Sequence, residues 1–553
     1  KNTLPYLFII LLGAYAMWDL TTPGLHKTHD SISHIVRILS FQKALDDGQI
    51  IPRWAPYLFE GIGSPVLILN YLLPYFFSSA IHGIGFSFID SYKITLTLSF
   101  ILSGITAYFS FRSIWGKLPG FLAAIIYTWA PFRFVDIYVR GAFGEAFAFI
   151  FPPLILVAIH KKWWLLLTVS FTGLLLSHPV ASALFCLFFF PYMLIYYYSK
   201  REGRNIFLFF ACFILAFGIS AFNVIPSIFE TGYTKFSPSN TNPYVHFPTL
   251  SQLINSPWGY GYSETNTNDW LSFKLGLAQW SIIIFGCLFL LINFLRKTKK
   301  RIDTLMIYVL AFCFAAIIFM LEISAPLWKI IKLERLIDLP WRINILIPFL
   351  TSFLGAWILN NLQGKFKYVF LLIILFLSIY GNRNHLSIIE VLPHSENYYI
   401  TSYQTGDDGG EYATIYRKTT RGTRFDEKIE VVKGDAKINI TENKSHSISA
   451  NIKAKEPTDV MIYAMYFPGW KVWLDDKQLP IGKECNITKP KNETRDTSGL
   501  ILCQIPKGDH MIHVEFTDTP LRTISNLLSF ISIFTFICLL FPLLYRRITK
   551  RRI

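Results

Sequence analysis

This chain has no glycine-rich phosphate loop, no internal repeat and no low-complexity tract, and charged residues make up only 16% of it. The first absence removes nucleotide chemistry of the P-loop kind. The other two leave no repeat or linker architecture to consider. Acidic side chains are also in short supply, 36 against 52 Lys and Arg, for a formal net charge of +16. Such an excess raises the question of a nucleic-acid partner, and its distribution answers against one. The basic residues gather at the ends of apolar runs: Lys161-Lys162, Lys200-Arg201, the stretch 296–301 and the C-terminal tail. That pattern orients a chain in a membrane rather than recruiting a polyanion. Cysteine is scarce too, with seven residues, most of them inside apolar runs. Cys485 and Cys503 alone share a polar segment, and a disulfide between them is expected in an oxidising compartment.

What the chain does hold is apolar length. Hydrophobic residues reach 52%, and runs able to cross a bilayer recur from Leu4 to Tyr380. Hydrocarbon leaves backbone groups unsatisfied unless they are helical, so each such run is expected to be a helix. Spans are placed near 4–20, 65–86, 93–111, 118–130, 143–160, 163–177, 179–198, 205–226, 276–295, 304–322, 342–361, 366–381 and 520–545. The first is read as an uncleaved span, because no small-residue cleavage site follows it. The fold class is therefore mainly α, a polytopic bundle of twelve or thirteen spans. The uncertainty in number comes from 61–90, whose Gly and Pro residues spoil the alternation and suit a broken or re-entrant helix. The charge rule makes 131–142, 227–275, 323–341 and 382–518 outer segments. Past Gly381 the pattern turns to alternating residues with frequent turns. Strands are expected at 429–432, 447–452, 460–466 and 512–516, with a hairpin across 466–481. The organisation is a transmembrane domain over 1–381 with a first outer loop at 21–64, a β-sandwich-like outer domain over 382–518, and a final span with a basic tail over 519–553.

Three polar constellations stand out. In the first outer loop Asp30, His34 and Arg37 fall on one face of an amphipathic helix at the membrane surface. Asp30 alone reads equally well as a helix N-cap. A cap has no use for His34 and Arg37, whereas a general base beside a phosphate-bearing lipid uses both. His26 and His29 add ligand capacity for a divalent metal, although their spacing matches no metal motif. The second constellation is PFRFVDIYVRGAFGE, with Arg133, Asp136, Arg140 and Glu145. Charges there are expensive at membrane depth unless paired or wet. An internal ion-pair network accounts for them, and so does phosphate binding by Arg140 and Arg133 with Gly141 and Gly144 admitting a head group. The third is LIDLPWRINIL, where Arg342 is either an interfacial anchor with Trp341 or a further phosphate ligand. His178, between two apolar runs, is a turn residue or a cavity liner. Glu230, Glu264 and Asp269 sit in an aromatic outer loop suited to sugar stacking.

The blocks HDSISHIVRILSFQKALDDGQIIPRW, APFRFVDIYVRGAFGEAFAF, LLLSHP, DLPWRINIL and YFPGWKVWLDDK together resemble the bacterial membrane proteins labelled 6-pyruvoyl-tetrahydropterin-synthase-related, relatives of the YfhO-like proteins. That family is similar to the GT-C glycosyltransferases. The resemblance implies a bacterial cell-membrane enzyme that takes sugar from a polyprenyl-phosphate carrier and gives it to an extracytoplasmic glycan, lipid or protein. It implies Asp30 as the base and, more loosely, roles for Arg140, Glu145 and Arg342. The residues themselves add His34 beside the base, Arg37 and Arg133 with Arg140 and Arg342 on the carrier phosphate, and Asp136, Glu145 and His178 in support. A transporter or scaffold for lipid-linked glycans would use the same arginines without the base.

Overall fold

The computed structural model describes residues 3–236, 242–263, 270–295, 304–401, 410–418, 425, 427–489 and 496–550. The chain is a polytopic α-helical membrane protein with a C-terminal β-rich domain. Among the described residues seven helices are long and apolar enough to cross a bilayer, and two bent pairs raise the number to nine. Three shorter apolar helices, Leu4–Ala16 (α1), Trp164–Leu175 and Leu277–Ile292, complete the bundle. The helix Phe88–Trp115 illustrates the local logic. Ser87 caps it by accepting from Asp90 N–H, and Gly116 ends it at φ 96. Its 28 residues cover about 42 Å, enough for a tilted crossing.

Pro340–Asn361 lies at the centre, with 94% of its apolar window buried in protein, whereas Pro520–Phe541 has 17% and faces lipid. That last helix lies against Gly203–Glu230. Ser529 Oγ donates to Gly218 O at 3.0 Å and accepts from Phe222 N–H at 2.8 Å. A Cβ on Gly218 would come within 2.2 Å of Ser532 Oγ, so a small residue sets this close crossing.

The run at 65–86 is not a span. It folds as Val66–Leu69 and Leu73–Gly83, and its neighbours settle the path. Strand β1 (Leu25–His26) pairs with β2 (Val391–Leu392), while Ile89 N–H donates to Glu396 Oε1 at 2.7 Å. The stretches before and after 27–88 therefore meet one and the same segment, and the chain between them returns to the side it left. Removing this run restores the alternation of the remaining spans.

The C-terminal β-rich domain is a two-sheet sandwich. Its strands are β3 (Ile429–Lys433), β4 (Ala436–Asn443), β5 (Ser447–Ala454), β6 (Thr458–Ile462), β7 (Trp470–Leu474), β8 (Lys477–Leu479), β9 (Cys485–Ile487), β10 (Ile501–Ile505) and β11 (Gly508–Phe516). One sheet runs β3-β6-β10-β9 and the other β4-β5-β11-β7-β8. Asp475 and Asp476, both at positive φ, make the β7–β8 turn, the geometry that hairpins of two-residue loops favour. Cys485 and Cys503 face each other in the β9–β10 register and are disulfide-bonded.

Candidate active site

Helix α2 (Ser31–Asp46) begins the site. Asp30 holds its N-cap position, yet the carboxylate makes no capping bond. The neighbouring hydroxyl does that work: Thr28 Oγ1 accepts from Ser31 N–H at 3.0 Å. The Asp30 side chain is thus not consumed by the helix. It lines two adjoining chambers, of about 230 and 390 Å³, that share Arg37, Arg140, Asp338, Arg342 and Glu411.

Backbone bonds join the first two constellations across the sequence. His29 N–H donates to Val139 O at 3.0 Å and Asp30 N–H to Arg140 O at 2.9 Å. The acceptors lie at the end of a broken element, Lys117–Thr128 and Pro131–Arg140, bent by 50°. Its last turn, Val135–Arg140, is π-wound and stops at Gly141 with φ 66, an irregularity of the kind that often marks functional positions. The Arg140 guanidinium donates to Asp136 Oδ1 at 2.6 Å and Glu145 Oε2 at 2.9 Å, and lies 4.9 Å from the Trp341 ring centre. Arg342 pairs with Asp338 at 2.8 Å, four residues back in the chain. His178 lines the smaller chamber beside Tyr71, 5.7 Å between ring centres.

The structure therefore gathers Asp30, His34, Arg37, Arg140, Glu145, His178 and Arg342 around one cavity. Arg133 and Asp136 do not line it. Arg133 is fully buried, 3.7 Å from the Phe149 ring centre, with Ser103 Oγ accepting at 3.3 Å. Gly141 and Gly144 leave no room for a head group: a Cβ would meet Thr28 Oγ1 at 2.2 Å in one and the Tyr71 ring at 2.3 Å in the other. Their smallness serves packing within the protein. Glu230 anchors the last helix through Arg522 Nε at 2.8 Å, while Glu264 and Asp269 lie outside the described residues. His26 and His29 do not converge on a metal: His26 Nε2 is 3.0 Å from Thr22 O, and His29 stacks on Tyr262 with Nε2 3.1 Å from Gly261 O. Among the described residues no group of three His, Cys, Asp or Glu is placed to hold a metal ion.

Sequence reasoning missed Asn70, Tyr71, Asp338, Glu411 and Tyr412, all of which line the smaller chamber. The signal for Asn70 and Tyr71 was the run that fitted no span, and Asp338 stood inside the quoted LIDLPWR block. Glu411 and Tyr412 carried none. They arrive on the strap 410–418, which bridges to Thr234 through Thr414 and is held by Arg417, whose guanidinium lies 3.5 Å from Glu60.

The imidazoles are held neutral. Burial pushes His34 well below the usual histidine range, and Arg37 adds to the shift. Burial brings His178 down to about 4, although Glu145 opposes it. The cavity's cations at neutral pH are then its three arginines, faced by Asp30, Glu145, Asp338 and Glu411. A stability consequence follows for His178. The unfolded chain takes up a proton near pH 6.5 that the folded imidazole refuses until about pH 4, so stability is lost as pH falls through that window. The melting temperature in detergent is expected to drop between pH 7 and pH 5, by the equivalent of about 2 kcal/mol for this group. His178→Asn removes that part of the drop while keeping the cap, because His178 Nδ1 accepts from Ala181 N–H at 3.2 Å and asparagine caps equally well.

No family model matches the chain, so the resemblance to the pterin-synthase-related family is not confirmed. An uncharacterized protein of Lactococcus lactis subsp. cremoris (strain MG1363) is 24% identical over 351 residues, 59% of this chain and 54% of that protein. The match thus spans about half the length of that relative. Arabinofuranosyltransferase AftD from Mycobacteria is similar at a TM-score of 0.45 and 13% identity, covering 72% of this chain and 28% of that one. ArnT from Cupriavidus metallidurans, solved with undecaprenyl phosphate, gives 0.41 and 12%, covering 66% and 61%. The Archaeoglobus fulgidus oligosaccharyltransferase gives 0.40 and 12%, covering 74% and 61%. These are partial likenesses of shape, and the functional reading rests on the cavity itself.

Proposed function

We propose that the chain is an integral-membrane glycosyltransferase that moves a sugar from a polyprenyl-phosphate carrier to a glycan, lipid or protein acceptor, with Asp30 as general base. The observation that carries this reading is a carboxylate left uncapped at the meeting point of two chambers, with three arginines beside it. An apolar cavity of about 360 Å³ adjoins the smaller chamber and shares Asn70, Tyr71, Pro179 and Leu336 with it. Phe213, Phe217 and Ile228 give that cavity the chemistry of a lipid chain. On the other side, the larger chamber offers the stacked His29 and Tyr262 together with Trp341, surfaces suited to sugar faces.

The step balances simply. Asp30 takes the proton of an acceptor hydroxyl as its oxygen bonds to the anomeric carbon. The bond from that carbon to the phosphate oxygen breaks, and the polyprenyl phosphate leaves with the electron pair. Arginine donors stabilise the charge that develops on it. The incoming phosphodiester bears one negative charge, and Arg342 meets it by exchanging Asp338 for phosphate oxygen. The basic residues at the ends of apolar runs, Lys161-Lys162 and Lys200-Arg201 among them, support a site on the extracytoplasmic face of a bacterial cell membrane.

The test is native mass spectrometry of the detergent-purified protein with undecaprenyl phosphate. Wild type and Asp30→Asn are expected to retain the lipid, and Arg342→Gln to lose at least tenfold in occupancy. A folded wild type that keeps none of it removes the donor from the proposal. A lipid-scaffold role would appear as cellular function surviving Asp30→Asn.

A further inference from the structure

A separate cavity of about 250 Å³ lies where the chain after α2 meets the β-sandwich. Its volume is below that of drug-sized pockets and suits a single sugar ring. The walls are aromatic and basic together. Trp54 and Trp470 meet edge to face with 5.1 Å between ring centres, and Tyr57 and Tyr463 join them. Trp54 is fixed by Gly63, where a Cβ would come within 2.1 Å of the indole nitrogen. Lys43 enters from α2, Lys428 and Lys444 from the sandwich, and no carboxylate stands among the lining residues described.

The charges around the cavity are partly answered from outside it. Lys43 Nζ pairs with Asp47 at 2.5 Å, and Lys444 with Glu442 at 3.2 Å. Lys428 Nζ donates to the Gly61 carbonyl. The indole N–H of Trp470 is buried without a hydrogen-bond partner, although that side chain lines the cavity. Asn443 and Ser445 add an amide and a hydroxyl. Flat aromatic faces, polar donors and ammonium groups are what an anionic sugar requires.

We infer that this cavity is an anchoring subsite for an anionic sugar unit of the acceptor, held away from the reacting end. The inference deepens the glycosyltransferase reading and rests on it for the identity of the acceptor as a glycan. The two sites are linked by one rigid element. Asp30 precedes the first turn of α2 and Lys43 sits in its last, which separates them by about 20 Å along the helix. A glycan anchored by one unit in this cavity presents a later unit to Asp30, so α2 sets the spacing between them.

Isothermal titration of the full-length protein in detergent with glucose 6-phosphate, glucose and inorganic phosphate tests the subsite. Saturable binding of glucose 6-phosphate is expected, at least tenfold tighter than either glucose or phosphate. Lys444→Glu and Asn443→Ala should each weaken it tenfold or more, and Arg342→Gln should leave it unchanged. Absence of saturable binding overturns the inference. So does phosphate binding as tightly as the sugar phosphate, which marks a general anion site. Loss in Arg342→Gln with retention in Lys444→Glu assigns the sugar phosphate to the catalytic cavity and also overturns it. The donor reading fails by a different readout, undecaprenyl phosphate retention, so the two failures are distinguishable.

Discussion

Asp30→Asn is expected to lower sugar transfer by about 10²–10⁴-fold, the range associated with loss of a positioned general base, while the protein folds and melts as wild type does. Both halves of that expectation come from the same geometry. The carboxylate makes no capping bond to α2, so removing its charge breaks nothing the helix needs. Asparagine is itself a favoured N-cap, and the fold has no reason to notice the change. The chemistry has every reason to, since an amide cannot take the hydroxyl proton. Carrier binding should persist, because Arg37 and Arg342 remain. The decisive experiment measures transfer from a polyprenyl-phosphate sugar in detergent, beside lipid retention and melting on the same preparations. Transfer within a few fold of wild type would remove Asp30 as base. Loss of transfer together with loss of folding would make it a structural residue instead.

The membrane fold was largely legible, because lipid forces apolar length into helices and leaves little choice of structure. The ambiguity at 65–86 has a physical cause. That stretch is apolar because it is buried in protein, with Val66, Leu67 and Ile68 inaccessible to solvent, and hydropathy alone does not separate protein burial from lipid burial. The sandwich was partly legible. Strands β5, β7 and β11 were expected, whereas β4 (AKINITEN) was not: its residues alternate half-buried with exposed but none is fully buried, so its apolar face is a weak signal. At the site, Asp30, His34 and Arg37 were visible as one helical face. What no local pattern carries is the pairing of residues 29 and 30 with residues 139 and 140, two backbone bonds across distant sequence. Glu411 was invisible for the same reason. Its strap is positioned by the long-range Thr234–Thr414 bridge and the Arg417–Glu60 pair, and nothing in its own composition marks it.

Arg140→Ala is expected to destabilise the protein by about 3–5 kcal/mol, the cost of breaking a buried ion pair by removing one partner. That is a large part of the 5–15 kcal/mol that typically holds a fold together, so recovery of folded protein should fall sharply. The reason lies in what Arg140 serves. Asp136 is 0% exposed and Glu145 1%, and both accept from this one guanidinium nitrogen. Without it two buried carboxylates lose the cation they share. Had Arg140 been chiefly a phosphate ligand, the alanine variant would fold normally and lose only lipid. The two roles separate in a combined variant. Arg140→Ala with Asp136→Asn and Glu145→Gln removes the whole charge set, and most of the lost stability is expected to return. Arg140→Lys should fall between, since one ammonium replaces a planar fork. Thermal unfolding in detergent measures all three. If Arg140→Ala melts like wild type, the network is not what holds this end of the broken span. If the combined variant stays as unstable as the single one, the loss comes from Arg140 packing over Trp341 and not from the stranded carboxylates.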